Sequence, residues 1–324
     1  MQGSRGAPGF GKQSVMPVSP ITNTFAGNPL DRASDRRADP EWIRGRLADP
    51  DALAVAMWNG RPLVEPAPAG GDALRTAYLP AQLAREVVAS DERLLFLGLS
   101  GEIAVFAVDL EGSADPADGP LNGFGRFKDL RDIAASLPAH DAAILATAKA
   151  MFEWRRRHGF CAACGQPTLP ADGGWKRVCD ACRSEHFPRT DPVVIMLPTL
   201  GDRCLLGRQA VWPKGMFSAL AGFLEPGETI EEACVREVKE EAGLTAVSVA
   251  YHSTQPWPYP SSLMIGLLAE VSDDNATPDQ TELDEVRWFT RAEARALLRG
   301  ELTDAWAPPP MAIAHQLIKA WSGG

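Results

Sequence analysis

The sequence predicts a protein of mixed α+β and α/β class, and three observations lead to this prediction. Its 324 residues are about twice the length of a usual domain. Four cysteines within 22 positions divide the chain into two long parts. On both sides of them, short apolar runs that suit strands alternate with periodic segments that suit helices. We therefore expect a flexible tail over 1–15, an N-terminal mixed α+β domain over 16–157, a cysteine module over 158–187 and a C-terminal domain over 188–324.

The composition is that of a folded, acidic protein. Hydrophobic residues make up 45% and charged residues 23%, which is enough apolar side chain for real cores. Against 42 Asp and Glu there are 32 Lys and Arg, and the net charge of −10 argues against coating nucleic acid or an anionic membrane. A polyphosphate substrate would then need bound cations. No segment approaches the roughly 18 apolar residues of a membrane span, and the first residues lack a signal-peptide pattern, so we predict a cytoplasmic protein without membrane contact.

The N-terminal tail contains an incomplete phosphate-binding loop. Gly6, Gly11 and Lys12 have the spacing of that motif, but Gln13 stands where a magnesium-binding Ser or Thr belongs, and no strand precedes it. Because residues 1–15 are rich in Gly and Ser without apolar periodicity, we predict a flexible segment instead.

The N-terminal domain shows two hairpin patterns and one long helix. Its predicted strands pair as 53–58 with 61–64 and as 94–98 with 103–108. Asn59-Gly60 joins the first pair and Ser100-Gly101 the second, and both are turn sequences that connect antiparallel strands. A helix is predicted over 142–156, ending in a basic cluster that suits a helix C-terminus. No catalytic group of side chains is apparent in this half.

Two CxxC pairs separated by fourteen residues have the spacing of a structural zinc site. Four thiolates can bind Zn²⁺ tetrahedrally, with no position left for a substrate. The alternative, a redox CxxC, needs one motif on a helix that follows a strand. We predict one structural Zn²⁺ per chain, while Cys204 and Cys234 lie alone in apolar segments and suit a core. The predicted zinc ligands are Cys161, Cys164, Cys179 and Cys182.

The C-terminal domain again alternates strands with helices. Its predicted strands cover 193–197, 204–206, 263–270 and 286–289, and its predicted helices cover 229–242, 291–298 and 311–321. Thr229 and Glu232 form a capping box at the start of the first helix, and Gly243 is suited to end it.

This first helix carries three glutamates on one arc. At about 100° per residue, Glu237, Glu240 and Glu241 fall within about 100° of one another and overlap the apolar stripe. Clustered like charges repel unless a cation lies between them, and hard oxygen ligands suit Mg²⁺ or Mn²⁺. From composition alone, a solvated helix with salt bridges to Arg236 and Lys239 is the alternative.

The full spacing of the segment favours a metal site. From Gly222 there are five residues to Glu228 and seven more to Arg236, followed by residues 237–244, EVKEEAGL. This segment matches every specified position of the Nudix box, G-x5-E-x7-R-E-U-x-E-E-x-G-U, where U is bulky and aliphatic. The chain therefore resembles the Nudix hydrolases. The resemblance implies hydrolysis of a nucleoside diphosphate linked to another group, with the box placed against the mixed sheet of an α/β/α sandwich.

A second motif and the cysteine module narrow the resemblance. Residues 254–262, TQPWPYPSS, are similar to the SQPWPFPxS signature of the zinc-ribbon NADH pyrophosphatases, with Thr254 for Ser and Tyr259 for Phe. The order of ribbon and box also agrees. The resemblance implies a homodimer that uses Mg²⁺ or Mn²⁺ to split NAD(H) into AMP and nicotinamide mononucleotide. Some members also remove NAD caps from RNA 5′ ends.

The resemblance also implies a set of site residues. The backbone of Ala221 and the side chains of Glu237, Glu241 and Glu282 are implied as the divalent-metal site. Gly222, Glu228, Arg236 and Gly243 are implied as structural parts of the box. Gly174 stands where members can carry an acidic side chain, which leaves substrate preference open. The implied substrate contacts are Phe187, Gln255, Pro256, Trp257, Pro258, Tyr259, Pro260, Ser261, Ser262 and Ala314.

The expected chemistry is attack of water on the diphosphate, whose charge the metal ions neutralise. Glu240 or Glu282 would orient or deprotonate the water, so the predicted catalytic residues are Glu237, Glu240, Glu241 and Glu282. Two other functions stay open: a module that senses a nucleotide without turnover, and an enzyme that mainly removes NAD caps from RNA. A sensor is expected to have lost carboxylates of the box, whereas all of them are present here.

Overall fold

The computed structural model describes residues 23–68, 70–88 and 90–323. The predicted flexible tail over 1–15, with its incomplete phosphate loop, lies outside these residues. The chain divides into two compact units. The first holds Phe25–Arg189 and Pro258–Ser261, and the second holds Thr190–Trp257, residues 262–323 and residues 23–24. Both units combine helices with sheets, which confirms the predicted fold class.

The first unit is built around a seven-stranded mixed sheet. Helix α1 (Pro40–Ala48) precedes the sheet, and Asp39 caps it by accepting a hydrogen bond from the N–H of Glu41. The strand order is β3-β2-β1-β6-β5, with β4 and β7 paired to β1 and β2, and β1 runs parallel to β6. The strands are β1 (Leu53–Trp58), β2 (Arg61–Pro66), β3 (Leu74–Thr76), β4 (Tyr78–Pro80), β5 (Leu94–Ser100), β6 (Ile103–Leu110) and β7 (Arg126–Phe127).

Both predicted hairpins of this unit are present. Asn59 and Gly60 both have positive φ, 49° and 76°, as a two-residue turn between antiparallel strands requires. Three helices pack with the sheet, and the longest begins three residues before the predicted position and ends in the expected basic cluster. These helices are α2 (Ala81–Glu86), α3 (Leu130–Ile133) and α4 (Ala139–Arg157).

The cysteine module folds as a three-stranded antiparallel ribbon. Its strands are β8 (Thr168–Ala171), β9 (Lys176–Cys179) and β10 (Glu185–His186), with β9 in the middle. The buried Arg177 on β9 donates hydrogen bonds to the Thr168 hydroxyl, at 2.7 Å, and to the Thr168 carbonyl on the neighbouring strand. This arrangement holds the two CxxC turns at one end of a small sheet.

The second unit contains a six-stranded mixed sheet in the order β14-β15-β11-β12-β16, with β13 paired to β11. The long central strands β11 and β15 run parallel, and the other pairs are antiparallel. The elements are β11 (Asp191–Leu200), β12 (Arg203–Arg208), β13 (Leu220–Phe223), α5 (Ile230–Ala242), β14 (Ala246–Trp257), β15 (Ser262–Val271), β16 (Glu285–Thr290), α6 (Arg291–Leu298) and α7 (Ile313–Ser322).

Alternation along β11 shows that helices cover both faces of this sheet. Val194 and Met196 belong to a core that includes residues of α5. The intervening Ile195 and Leu197 pack into two cores that include residues of α6 and α7. Because successive side chains of a strand point to opposite faces, α5 lies on one face and α6 and α7 on the other. The predicted α/β/α sandwich with a mixed sheet is therefore confirmed.

Three parts of this unit differ from the sequence prediction. Strand β13 (Leu220–Phe223) was not predicted. Residues 246–257 form the edge strand β14, although no strand was predicted there. The first four residues of the TQPWPYPSS motif therefore belong to a strand. Helix α7 begins at Ile313 instead of Met311. Among the residues described, no helix is both long and apolar enough to cross a bilayer.

Candidate active site

Helix α5 has defined ends that fix the position of its acidic residues. The Thr229 hydroxyl accepts a hydrogen bond from the N–H of Glu232, and the Glu232 carboxylate accepts one from the N–H of Thr229. Gly243 ends the helix in the left-handed conformation, with φ of 70°. The box is therefore a loop followed by a helix that has a cap at each end.

The three glutamates of the predicted arc do not have the same environment. Glu237 and Glu241 are 7% and 3% exposed. The Glu240 side chain is 59% exposed, so it lies on the solvent side of the arc. Two carboxylates of this helix therefore lie on its buried face, beside the apolar residues Cys234 and Val238.

Arg236 connects the glutamates to the loop that precedes the helix. Its guanidinium donates to both carboxylate oxygens of Glu228, at 2.6 and 2.9 Å, and to the carbonyl of Phe223 at 2.9 Å. It also donates to Glu237 at 2.7 Å and to Glu240 at 2.9 Å. Hydrogen bonds from Arg236 lower the pKa of Glu228. One arginine thus fixes the loop and two carboxylates of α5 together.

Gly222 on β13 provides the space in which the Glu237 carboxylate lies. A Cβ atom at this position would overlap all three atoms of that carboxylate. The neighbouring residue Ala221 pairs with Ile195 of β11. Its backbone therefore lies directly beside Gly222 on β13. The glycine of the box is required here by close approach and not by backbone conformation.

Glu241 is the most perturbed carboxyl of the site. Burial, followed by the charges of Glu237 and Glu282, raises its pKa to about 8, and burial raises the pKa of Glu237 as well. The Oε2 atom of Glu241 is buried, and among the described residues it has no hydrogen-bond partner. A buried carboxylate oxygen with no partner is costly unless a cation binds it. These oxygen donors fit a hard divalent cation.

The raised pKa of Glu241 predicts how the stability of the metal-free protein depends on pH. Because the folded-state pKa of about 8 lies above the ordinary 4.5, this carboxyl favours folding at low pH, and its contribution is lost as the pH rises from about 4.5 to about 8. We expect the Tm in EDTA to fall over this range by more in the wild type than in Glu241→Gln. Thermal melts at pH 5 to 8 measure this. Parallel Tm curves for the two proteins would contradict it.

The four predicted zinc ligands converge at one end of the ribbon. Their sulfur atoms all lie within 4.8 Å of one another, and among the described residues this is the group of His, Cys, Asp and Glu side chains that meets that distance. Cys161 and Cys179 are buried, whereas Cys164 and Cys182 are exposed. Hydrogen bonds with Ser184 lower the pKa of Cys182 to about 6, which favours the thiolate that Zn²⁺ binds. Cys204 and Cys234 are buried in the sandwich, as predicted.

Loss of one zinc ligand should unfold the ribbon. We expect Cys179→Ser to lower bound zinc from one per chain to a small fraction of that, because binding of the metal and folding of so small a sheet are coupled. Elemental analysis measures zinc, and limited proteolysis detects new cleavage within 158–187. The matched control is Cys204→Ser, which replaces an equally buried cysteine outside the ribbon and should keep its zinc. Full zinc content in Cys179→Ser would contradict the assignment.

Family models match three consecutive parts of the chain between residues 51 and 308. An NADH pyrophosphatase-like rudimentary NUDIX domain matches residues 51–154, an NADH pyrophosphatase zinc ribbon domain matches 156–187, and a NUDIX domain matches 189–308. The chain is 37% identical to the NAD-capped RNA hydrolase NudC of Mycobacterium bovis over 90% of this chain and 92% of that protein. The chain belongs to the Nudix hydrolases of the NADH pyrophosphatase family.

Two human relatives are also similar to this Nudix hydrolase. The NAD-capped RNA hydrolase NUDT12 of Homo sapiens is 35% identical, over 94% of this chain and 74% of that protein. The mitochondrial NAD(P)H pyrophosphatase NUDT13 of Homo sapiens is 44% identical, over 61% of this chain and 59% of that protein.

The predicted substrate residue Gln255 is fully buried in the Nudix domain. Its amide donates to the carbonyls of Thr24, at 3.0 Å, and Met311, at 2.7 Å, and its oxygen accepts from the N–H of Ile313 at 2.8 Å. The side chain thus joins β14 to the start of α7 and to a segment 231 residues earlier. In this arrangement the Gln255 amide forms its hydrogen bonds within the protein.

Replacing Gln255 should destabilise the Nudix domain. We expect Gln255→Leu to lower the free energy of unfolding by about 3 kcal/mol, because the carbonyl of Met311 and the N–H of Ile313 would be left buried without this partner, and the carbonyl of Thr24 partly buried. Chemical denaturation measures this loss. Gln316→Leu is the matched control, because Gln316 makes one exposed hydrogen bond, to Pro310, and should change stability by less than about 0.5 kcal/mol. Equal effects of the two variants would contradict the role of Gln255.

The Pro-rich turn of the motif clusters with the first unit. The Tyr259 ring lies 4.3 Å from the Arg131 guanidinium and 5.3 Å from the Lys149 ammonium, and it meets Phe25 edge to face. Pro258 is buried, whereas Pro256, Trp257, Pro260, Ser261 and Ser262 are partly exposed.

The two remaining predicted substrate residues, and Gly174, lie in different environments. Phe187 follows β10 and is 63% exposed, as a ring available for stacking would be. Ala314 on α7 is 2% exposed and belongs to a core with Ile195 and Leu317. Gly174 is buried with φ of 98°, and a Cβ atom there would lie 2.9 Å from Leu95. An acidic side chain therefore does not fit at this position without strain.

Two sets of residues near the site were not predicted from the sequence. Asn23 donates to the Ser253 hydroxyl at 2.9 Å and to the Thr254 carbonyl at 2.8 Å, which ties the chain before the first unit to β14. Asp279 accepts hydrogen bonds from the backbone that carries Glu282. The available signal for Asp279 was its residue type, because Asp side chains often accept hydrogen bonds from the backbone of a turn.

Proposed function

We propose that this enzyme hydrolyses the diphosphate of NAD(H) and releases AMP and nicotinamide mononucleotide. The observation that carries the proposal is the buried pair Glu237 and Glu241, one of which has an oxygen without a partner. The complete Nudix box, the TQPWPYPSS motif and the names of the relatives, among them an NAD(P)H pyrophosphatase, support this substrate. Water adds across the anhydride, so that each phosphorus leaves as a phosphate monoester.

The residues that would hold a divalent cation are Glu237, Glu241, Glu282 and the backbone of Ala221. Mg²⁺ or Mn²⁺, when bound, would neutralise the diphosphate and make a water more acidic. Glu237 and Glu241 approach from α5, and Glu282 approaches from the segment before β16. Arg236 keeps Glu237 and Glu240 in place through hydrogen bonds of 2.7 and 2.9 Å. Glu240 or Glu282 accepts the proton of the attacking water, and comparing the pH profiles of Glu240→Gln and Glu282→Gln identifies which.

NAD-capped RNA is a second candidate substrate of the same site. Two relatives that align with at least 90% of this chain are named NAD-capped RNA hydrolases. The basic residues of the ribbon offer limited support. Lys176 is paired with Glu185 at 2.8 Å, Arg183 with Asp180 at 3.6 Å, and Arg177 is buried. We therefore place the free dinucleotide first.

One comparison of substrates tests this order. We expect kcat/KM to be higher for NADH than for NAD⁺, ADP-ribose and NAD-capped RNA when all four are measured in one buffer with Mg²⁺. A value for NAD-capped RNA ten times that for NADH would make RNA decapping the main activity. Binding of NADH without release of AMP would instead make the protein a nucleotide sensor.

The proposal also includes the oligomeric state of the enzyme and the compartment in which it acts. The family resemblance supports a homodimer in the cytoplasm. Light scattering should give twice the mass of the chain, and a fluorescent fusion should be distributed through the cytoplasm. A mass equal to one chain, or accumulation in an organelle, would contradict these two points.

A further inference from the structure

The segment between β15 and β16 carries Glu282, and it is attached to the helix that carries the other two glutamates. The N–H of Thr277 donates to the carbonyl of Ala242 at 2.9 Å. The N–H of Asp279 donates to the carbonyl of Glu241 at 3.3 Å. These carbonyls belong to the last turn of α5, where carbonyls have no N–H partner within the helix. The segment therefore begins in direct contact with the backbone of one predicted metal ligand.

The side chain of Asp279 continues this connection to Glu282. One carboxylate oxygen accepts from the N–H of Leu283 at 2.8 Å, and the other accepts from the N–H of Glu282 at 2.9 Å. The turn is closed by a hydrogen bond from the N–H of Gln280 to the carbonyl of Leu283, at 3.1 Å. Gln280 has φ of 64°, an unusual backbone conformation for a residue other than glycine.

Leu283 fixes the far end of this turn. It is 3% exposed and packs into the core that includes Val238 and Ala242 of α5. The charge of Glu282 contributes to the raised pKa of both Glu237 and Glu241, although among the described residues the oxygens of these three carboxylates do not all come within 4.8 Å of one another. Hydrogen bonds thus connect Glu241 to Asp279 and Asp279 to Glu282.

We infer that Asp279 is a positioning residue of this enzyme, which holds Glu282 at a fixed place relative to Glu237 and Glu241. The inference rests on the proposed function, because it concerns the same metal site. Asp279 accepts hydrogen bonds from the backbone N–H groups of Glu282 and Leu283, and its charge also adds to the raised pKa of Glu241. It acts through Glu282, whose carboxylate would otherwise follow the motion of an exposed turn. Partners of this kind typically change metal affinity or activity by about 10- to 100-fold.

The same segment offers a matched control. Asp273 also closes a turn, by accepting from the N–H of Asn275 at 3.0 Å and from the hydroxyl of Ser272 at 3.0 Å. It lies between β15 and β16, as Asp279 does, but its hydrogen bonds within the described part of the chain are with Ser272 and Asn275 and not with the residues around Glu282. Asp273→Ala therefore removes a turn-closing carboxylate without the proposed effect on the metal site.

The direct test is the affinity of the purified protein for Mn²⁺ alone, measured by electron paramagnetic resonance without substrate. We expect Asp279→Ala to weaken Mn²⁺ binding about 10-fold and Asp273→Ala to leave it within about twofold. Asp279→Asn keeps one acceptor oxygen, so its effect should be smaller, and it serves if the alanine variant does not fold. Equal Mn²⁺ affinities for the wild type and both Asp279 variants would overturn the inference.

A double variant shows whether Asp279 acts through Glu282. In a Glu282→Gln background, Asp279→Ala should cause no further loss of Mn²⁺ affinity, since the group that it positions is already changed. A full additional 10-fold loss would overturn the inference. With NADH, the Mg²⁺ concentration for half-maximal activity should rise about 10-fold in Asp279→Ala, while KM at saturating Mg²⁺ stays within about twofold. Failure of NADH as a substrate would remove the proposed function but leave the Mn²⁺ measurement valid.

Discussion

Replacing Glu241 by glutamine is expected to lower kcat/KM for NADH by about 10³-fold, which corresponds to about 4 kcal/mol of transition-state stabilisation. Glu241 is buried, has an oxygen without a partner, and lies beside the charges of Glu237 and Glu282. Glutamine has nearly the same shape but a neutral amide, so the variant removes a charged metal ligand and little packing. Steady-state kinetics with Mg²⁺ measure the effect.

The same variant should fold well. In EDTA at pH 8, we expect Glu241→Gln to be at least as stable as the wild type, because a neutral side chain is less costly to bury there than a carboxylate. Activity within tenfold of the wild type would contradict the role of Glu241. A loss of activity together with a lower Tm at every pH would mean that the residue supports the fold instead.

Adding one methyl group at Gly222 is expected to lower kcat by about 100-fold. The Cβ atom of Gly222→Ala would occupy the space of the Glu237 carboxylate, so this side chain must turn away from the site. Because the displaced group is the end of a flexible side chain, the Tm should change by only a few degrees. Kinetics with NADH and thermal melts measure the two effects separately.

Gly45→Ala is the control for this variant. Gly45 lies in α1, and a Cβ atom there meets nothing within 4 Å. Its kcat should match the wild type. An active Gly222→Ala enzyme would mean that Glu237 does not need its observed position.

Much of the C-terminal domain could be predicted because local patterns determine it. The capping box Thr229 and Glu232 and the αL glycine Gly243 fixed the ends of α5, and the structure has both. The 3.6-residue period placed Glu237 and Glu241 on the apolar side of the helix. The same period did not show that Glu240 is exposed. Glu240 and Glu241 are about 100° apart around the helix axis, yet the Glu240 side chain is 59% exposed, whereas Glu241 is buried.

The parts that were not predicted depend on long-range contacts or on broken periodicity. Strand β14 has irregular register near Ala246 and Tyr251, and such bulges disrupt the alternation that identifies a strand. Gln255 lies in a motif that suggested contact with a nucleotide, but its amide pairs with residues 231 positions before it and 56 positions after it. No local pattern contains that information.

At Gly174, the family resemblance and the structure have to be combined to explain why no acidic side chain is present. The family can carry an acidic side chain there, and the sequence shows only that it is absent. The structure adds a positive φ of 98° and close contact with Leu95, so the chain has adapted its backbone to glycine. An acidic side chain at position 174 would therefore strain the backbone of this chain.

The most direct test of the account is product analysis of one reaction. We incubate the protein with NADH and Mg²⁺ in water enriched in ¹⁸O and separate the products by mass spectrometry. We expect equal amounts of AMP and reduced nicotinamide mononucleotide, with one ¹⁸O in one of the two, no products in EDTA, and almost none with Glu241→Gln. Unchanged NADH with Mg²⁺ and with Mn²⁺, or equal AMP release by the wild type and Glu241→Gln, would contradict the account.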